Sequence, residues 1–244
     1  MNKKLLIGLL MAICLAGNVL AIGSVDIVDT TVSLTAAPGS STSTTMQVSN
    51  TGTETFNSVA LSVTDLTGPA TLSSSQVVLS PSPLALLASS SENPTVQVAV
   101  PSGQKAGTYT GIITAEYNST NKDTSTLSLA VDSVEGLSVS APSVEITQGS
   151  AGQVIMTVTN TGNHDATGVS WQVTTTPTTG SATLTPVANS GSINVAYGGN
   201  QEATLLFNVG GTQTAGTYSG VVTFTWGTTT AQVPITIVVK APQY

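Results

Sequence analysis

One histidine, His164, stands in this 244-residue chain, inside the run Gly162-Asn163-His164-Asp165. A lone imidazole becomes a general base or a metal ligand only with partners. The single cysteine, Cys14, lies in an apolar stretch near the start, and no Gly-x-Ser-x-Gly or comparable nucleophile motif occurs. His164 therefore reads as an exposed polar turn residue; no catalytic, metal-binding or cofactor-binding residue is expected, and the chain reads as non-enzymatic. Asp132 and Glu135 stand close together, and Ca²⁺ takes oxygen ligands from such loops. They follow neither the EF-hand spacing nor a repeated Asp-x-Asp, so solvated linker charges are the simpler reading. Asn118-Ser119-Thr120 is an acceptor sequence for N-linked glycan, placed ahead of Asn121-Lys122-Asp123, which reads as a hairpin turn.

The elements that must carry these residues are announced by a repeat. Ala106-Gly-Thr-Tyr-Thr-Gly111 returns as Ala215-Gly-Thr-Tyr-Ser-Gly220, and Ser49-Asn-Thr-Gly52 returns as Thr159-Asn-Thr-Gly162. The spacing from Asn50 to Tyr109 nearly equals that from Asn160 to Tyr218. A repeat of about a hundred residues is too long for a solenoid unit and matches two small domains in tandem.

Residues 1–21 read as a secretory signal: Lys3 and Lys4, an apolar run from Leu5 to Gly17, and the small residues of Val19-Leu20-Ala21. The run is short for a bilayer span, and Cys14 sits mid-run after Ile13, where a lipoprotein cysteine is not expected. Beyond it there is no cysteine and hence no disulfide framework.

Composition narrows the partners. The formal charge of the chain is −7, arginine is absent, and after residue 21 only Lys105, Lys122 and Lys240 are basic. Such a surface cannot neutralise a row of phosphates, which excludes nucleic acid and anionic membranes as expected partners. Thr, Ser, Val, Gly and Asn are abundant, and Thr and Val carry the Cβ branch that suits a pleated sheet. The chain reads as all-β.

Strand parity holds across the repeat. Thr44, Met46 and Val48 alternate up to Asn50-Thr51-Gly52, as Val154, Met156 and Val158 do up to Asn160-Thr161-Gly162. Val59-Leu61-Val63 and Val169-Trp171-Val173 follow the two turns. Tyr109 shares its parity with Ile113, Ala115 and Tyr117, and Tyr218 with Val222, Phe224 and Trp226. Gly107 and Gly216 precede the tyrosines by two residues, where a tight turn needs no Cβ. A tyrosine opening a late strand, its hydroxyl bonded back to nearby backbone, makes the tyrosine corner of immunoglobulin-type sandwiches, and Trp171 falls where such sandwiches bury an indole.

The run Gly152-Gln-Val-Ile-Met-Thr-Val-Thr-Asn-Thr-Gly-Asn-His-Asp-Ala-Thr-Gly-Val-Ser-Trp-Gln-Val173 resembles the second strand, turn and third strand of bacterial and archaeal cell-surface Ig-like modules, of the CARDB, NEW3 and S-layer-associated types. Ala215-Gly-Thr-Tyr-Ser-Gly-Val-Val-Thr-Phe224 is similar to the close of such a module. The resemblance implies an extracytoplasmic β-sandwich acting as spacer, adhesin or assembly unit, with no catalytic residue.

The expected organisation is a signal peptide at 1–21, one Ig-like sandwich at 22–132, a short linker at 133–136, a second sandwich at 137–240 and a tail at 241–244. Asn50, Gly52, Tyr109, Asn160, Gly162, Trp171 and Tyr218 are its structural motif residues, and Asn118 the glycosylation candidate. The leading functional expectation is a secreted or cell-surface structural protein that binds itself or other surface proteins, a filament subunit among the forms this could take. An adhesive module for carbohydrate or protein is the alternative, with Tyr197 and Tyr244 as the exposed aromatics available for stacking on sugar. A periplasmic pilus chaperone ranks below both, because a chain without arginine lacks the usual means of seizing a carboxylate. Residues 22–32 alternate apolar and polar, fit to close the edge of their own sandwich or of a neighbouring molecule.

Overall fold

The computed structural model describes residues 23–141 and 143–243; the segment read as a signal lies outside the described residues. The chain divides into two compact units, the first running to Pro101 and resuming over Thr108–Ala130, the second comprising Ser102–Gly107 and residues from Val131 onward. No helix among the described residues is long and apolar enough to cross a membrane.

The first unit is built from β1 (Val25–Ile27), β2 (Thr31–Ala36), β3 (Ser41–Thr45), β4 (Val48–Asn50), β5 (Phe56–Val63), β6 (Leu66–Thr67) and β7 (Thr71–Leu72). It continues through β8 (Val77–Ser80), β9 (Leu84–Leu86), β10 (Ser91–Glu92), β11 (Thr95–Ala99), β12 (Gly107–Asn118) and β13 (Asn121–Val131). One sheet has the order β2-β13-β12-β5-β9, and the other layer is split into β1-β4-β10 and β3-β11-β8. Met46, Val48, Val59, Tyr109, Ile113, Leu127 and Leu129 are buried between the layers. Leu61, at the position that Trp171 holds in the second copy and expected in this core, is only half-buried; it faces Ala115 across the sheet, and its N–H donates to the Ser82 hydroxyl at 3.2 Å.

The split has a local cause. Pro94 has no N–H to give to a ladder, so β10 and β11 stop on either side of it, and Met46 N–H donates to its carbonyl (3.1 Å). Opposite, the Gln47 N–H is taken by the Asp29 carboxylate at 2.8 Å. The strand that runs unbroken in the second copy is therefore two strands here.

Asn121, Lys122 and Asp123 are strand residues rather than the expected turn, because Ser119-Thr120 already closes the hairpin. Asn121 and Asp123 are committed elsewhere: Val25 N–H donates to Asn121 Oδ1 (2.7 Å) and Ile27 N–H to Asp123 Oδ2 (2.8 Å). Ser125 Oγ donates to Asp29 O at 2.6 Å. Asn121 and Asp123 thus hold the edge of β1 that faces away from β4, and Ser125 the chain just beyond it. In this chain β1 pairs within its own unit, Val25–Ile27 against Val48–Asn50.

The second unit contains β14 (Leu137–Ser140), β15 (Val144–Thr147), β16 (Ala151–Asn160), β17 (Ala166–Thr179), β18 (Ala182–Thr183), β19 (Ser190–Val195), β20 (Asn200–Asn208), β21 (Gly216–Trp226) and β22 (Thr229–Lys240). One sheet is β14-β16-β20; the other is β15-β22-β21-β17, with β18 and β19 both on β17. Val154, Met156, Val158, Trp171, Leu205, Phe207, Tyr218, Val222, Phe224, Ile235 and Ile237 share its core.

Candidate interaction surface

The repeated motifs are internal fixtures. Asn160 is buried, and its Nδ2 donates to His164 O (2.7 Å) and Val195 O (3.2 Å) while Oδ1 accepts from Gly162 N–H (2.9 Å). Asn50 does the same with Glu54 O (2.6 Å), Leu86 O (3.3 Å) and Gly52 N–H (2.9 Å). One side chain thereby closes its own turn and ties it to the segment ahead of β20, or of β10 in the first unit, using an amide that both donates and accepts.

Tyr218 is fully buried, and its hydroxyl donates to Thr214 O, four residues upstream, at 2.8 Å and accepts from Gln213 Nε2 at 2.8 Å. Tyr109 is equally buried, with Gly68 packed so closely that a Cβ there would come within 3.0 Å of the ring. Gly107 and Gly216 hold φ of 133° and 153°, a region that side chains with a Cβ rarely adopt. Trp171 is 8% exposed, and its indole lies over Gly191, its partner across the sheet.

His164 is not the exposed turn residue expected. Its ring packs on Trp226 at 4.7 Å between centroids, and Nδ1 is enclosed without a hydrogen-bond partner. Glu135 is also engaged: its carboxylate accepts from Thr228 N–H (2.9 Å) and Thr228 Oγ1 (3.2 Å). The Thr228 amide bond is the main influence holding its pKa below the ordinary value, with His164 a lesser one. The Asp132 carbonyl accepts from Asn163 Nδ2 at 2.8 Å. No group of three or more acidic, histidine or cysteine side chains positioned for a metal occurs among the described residues. Tyr197 is 37% exposed, but its hydroxyl donates to Gly103 O (2.5 Å) and Lys105 Nζ stands 5.6 Å above its ring. Tyr244 lies outside the described residues.

An accessible feature of the second unit is the outer face of its larger sheet. Ser170 faces Thr225 across β17 and β21, and Gln172 faces Thr223. With Thr174, Ser190 and Ser192 they line a shallow groove of about 470 Å³ in which no side chain is charged. Thr174 and Thr223 share a hydroxyl–hydroxyl bond of 3.0 Å, and Ser170 Oγ donates to Thr225 O at 3.4 Å. The hydroxyls and the Gln172 amide of this lining can both give and take hydrogen bonds. The first unit carries a groove of about 460 Å³ on its larger sheet, lined by Thr64, Asp65, Thr67, Thr110, Ile112 and Thr126. There the Asp65 carboxylate accepts from Ser74 N–H at 2.7 Å, which keeps its pKa below the usual value. The sequence pattern held this face in plain view, as the polar half of each alternating strand; it drew no attention because exposed Ser and Thr are the default on a sheet.

No family model matches the sequence, and no curated protein matches it. Among solved structures, the chain is similar to the protocadherin gammaB7 EC3-6 cis-dimer, with a TM-score of 0.51 at 11% identity over 89% of this chain and 48% of that one. The fold is immunoglobulin-like. A family 123 glycoside hydrolase from Clostridium perfringens matches with a TM-score of 0.33 and 19% identity, over 49% of this chain and 26% of that chain. The E. coli chaperone DraB matches with a TM-score of 0.31 and 15% identity, over 87% of this chain and 97% of that one. This chain spans about a quarter of the hydrolase and about half of the protocadherin fragment. At such identities the likeness speaks to the fold alone.

Proposed function

We propose that this chain is a non-enzymatic structural protein of the cell exterior, exported by residues 1–21, which associates with copies of itself or with other surface proteins. The observation that carries this reading is the uncharged outer face formed by Ser170, Gln172, Thr174, Thr223 and Thr225 on a chain of formal charge −7. Net charge of one sign keeps molecules apart, whereas a neutral face can be buried without desolvating an ion. Its hydroxyls can exchange water for partner hydroxyls and amides at little net cost. The sugar-binding alternative loses ground with Tyr197, whose ring and hydroxyl are both in use.

Sedimentation velocity over a wide concentration range tests this. The wild-type protein is expected to form higher-order species, and a Thr223→Lys/Thr225→Lys variant to remain monomeric with unchanged melting. A wild-type chain that stays monomeric throughout, or a variant that associates equally well, overturns the reading.

A further inference from the structure

The tip of the β12–β13 hairpin carries Tyr117-Asn118-Ser119-Thr120-Asn121. β12 ends at Asn118 and β13 begins at Asn121, so Ser119 and Thr120 make the turn, and Asn118, Ser119 and Thr120 are all exposed. Asn118 Oδ1 accepts three hydrogen bonds, from Thr120 N–H (3.1 Å), Thr120 Oγ1 (3.0 Å) and Asn121 N–H (2.8 Å). These fix the side chain through its oxygen, and the amide nitrogen takes no part in them. The asparagine and the hydroxyl two residues on, which together define an acceptor, are therefore already in contact at an exposed turn.

The other asparagines show what this one has that they lack. Asn50 and Asn160 are buried, with both ends of the amide engaged, and each is followed two residues later by glycine. Asn93-Pro94-Thr95 has the right outer residues, but proline at the centre disqualifies it. Asn118 alone in the sequence combines the acceptor pattern with a hydroxyl and no intervening proline.

We infer that Asn118 is an acceptor for N-linked oligosaccharide. The donor is a lipid phosphate-linked sugar: Asn118 Nδ2 forms a bond to the anomeric carbon and gives up one proton, and the lipid phosphate leaves with the electron pair of the broken C–O bond. Nothing is oxidised or reduced. A glycan there leaves the ladder between β12 and β13 intact, since Nδ2 has no part in the turn's hydrogen bonds. The inference depends on the exposure and geometry of this turn and not on self-association.

The test uses the folded full chain, a purified oligosaccharyltransferase that accepts Asn-x-Thr, and its lipid-linked donor. Trypsin cuts after Lys105 and Lys122 and so releases Ala106–Lys122, in which Asn118 is the one acceptor. The expected result is a mass increase of one glycan on that peptide, lost completely in Asn118→Gln and in Thr120→Ala, the second of which keeps the asparagine. An unmodified peptide, while a control acceptor in the same reaction is modified, overturns the inference. Transfer to the heat-unfolded chain alone also overturns it, because the folded hairpin would then fail to present the site.

Discussion

Gly23 and Gly52 meet backbone to backbone: a β-carbon built on either would stand 2.1 Å from the other's Cα. The second copy repeats the closeness, with a β-carbon at Gly162 falling 2.4 Å from Val134 O and one at Gly136 falling 2.6 Å from Thr161 Oγ1. Asn-Thr-Gly recurs because its asparagine fastens the turn and its glycine lets the entering chain lie against it. Gly52→Ala should therefore destabilise the first unit by about 1–3 kcal/mol through forced displacement of packed backbone. Gly103→Ala, with nothing within 4 Å of the added methyl, is the control. Urea unfolding of both variants decides, and equal midpoints would contradict the contact.

Asn160→Asp keeps the shape of the side chain but replaces the donor to His164 O and Val195 O with a carboxylate oxygen. The cost should be about 1–3 kcal/mol or more at neutral pH, where a buried anion faces two carbonyls. Protonation restores one donor, so the deficit relative to wild type should shrink as the pH falls. Thermal melts at neutral and acidic pH read this directly, and a deficit that grows on acidification would refute it.

Tyr218→Phe removes the donor to Thr214 O and the acceptor for Gln213 Nε2 while keeping the buried ring. A loss of about 0.5–1.5 kcal/mol is expected, with self-association unchanged. Loss of association without loss of stability would make the tyrosine a contact residue instead of a corner.

Trp171→Ala should cost about 3–5 kcal/mol, since it removes the buried indole packed on Gly191. Gly191→Ala attacks the same packing from the other side, because its methyl would lie 2.6 Å from Trp171 Cζ2. In that variant the tryptophan emission should move to the red as the ring is pushed outward. A wild-type spectrum and melting curve in both variants would remove Trp171 from the core.

Glu135 titrates below the ordinary glutamate value of 4.5, chiefly because Thr228 N–H bonds its carboxylate. A depressed folded pKa gives stability that is present above the unfolded value and is lost as the pH falls through the folded one. Acidification through and below pH 4.5 should thus release the β21–β22 turn at Gly227-Thr228, seen as a shift of the Thr228 amide resonance. Glu135→Gln should flatten that titration, and an amide that ignores pH in the wild type would exclude the bond.

Much of the fold could be read from the chain because both periodicities were strong. Alternation from Val154 to Val158 marks a strand whatever surrounds it, and a hundred-residue repeat implies two units. The readings that failed were those decided by distant residues. The break at Met46-Gln47 depends on Pro94 and Asp29, and Asn121-Asp123 left the turn because β1 needed their side chains. His164 looked like an exposed turn residue until Trp226 of β21 packed against its ring. The groove was legible only as a pattern, since its identity as one surface requires knowing that Ser170 meets Thr225.

One pairing in the second unit bears on how the chain responds to pulling. β15 lies parallel to β22, joining Val144 to Ile237 and Thr147 to Lys240, with Glu145 and Lys240 bridging the same two strands. The chain enters this pair through one strand and leaves through the other in the same direction. Tension applied at Val144 and at Lys240 therefore drags the strands past each other and loads their rungs simultaneously. An antiparallel pair such as β14 and β16, pulled from one end, opens rung by rung. The parallel clasp therefore yields to such tension only when its rungs give way together.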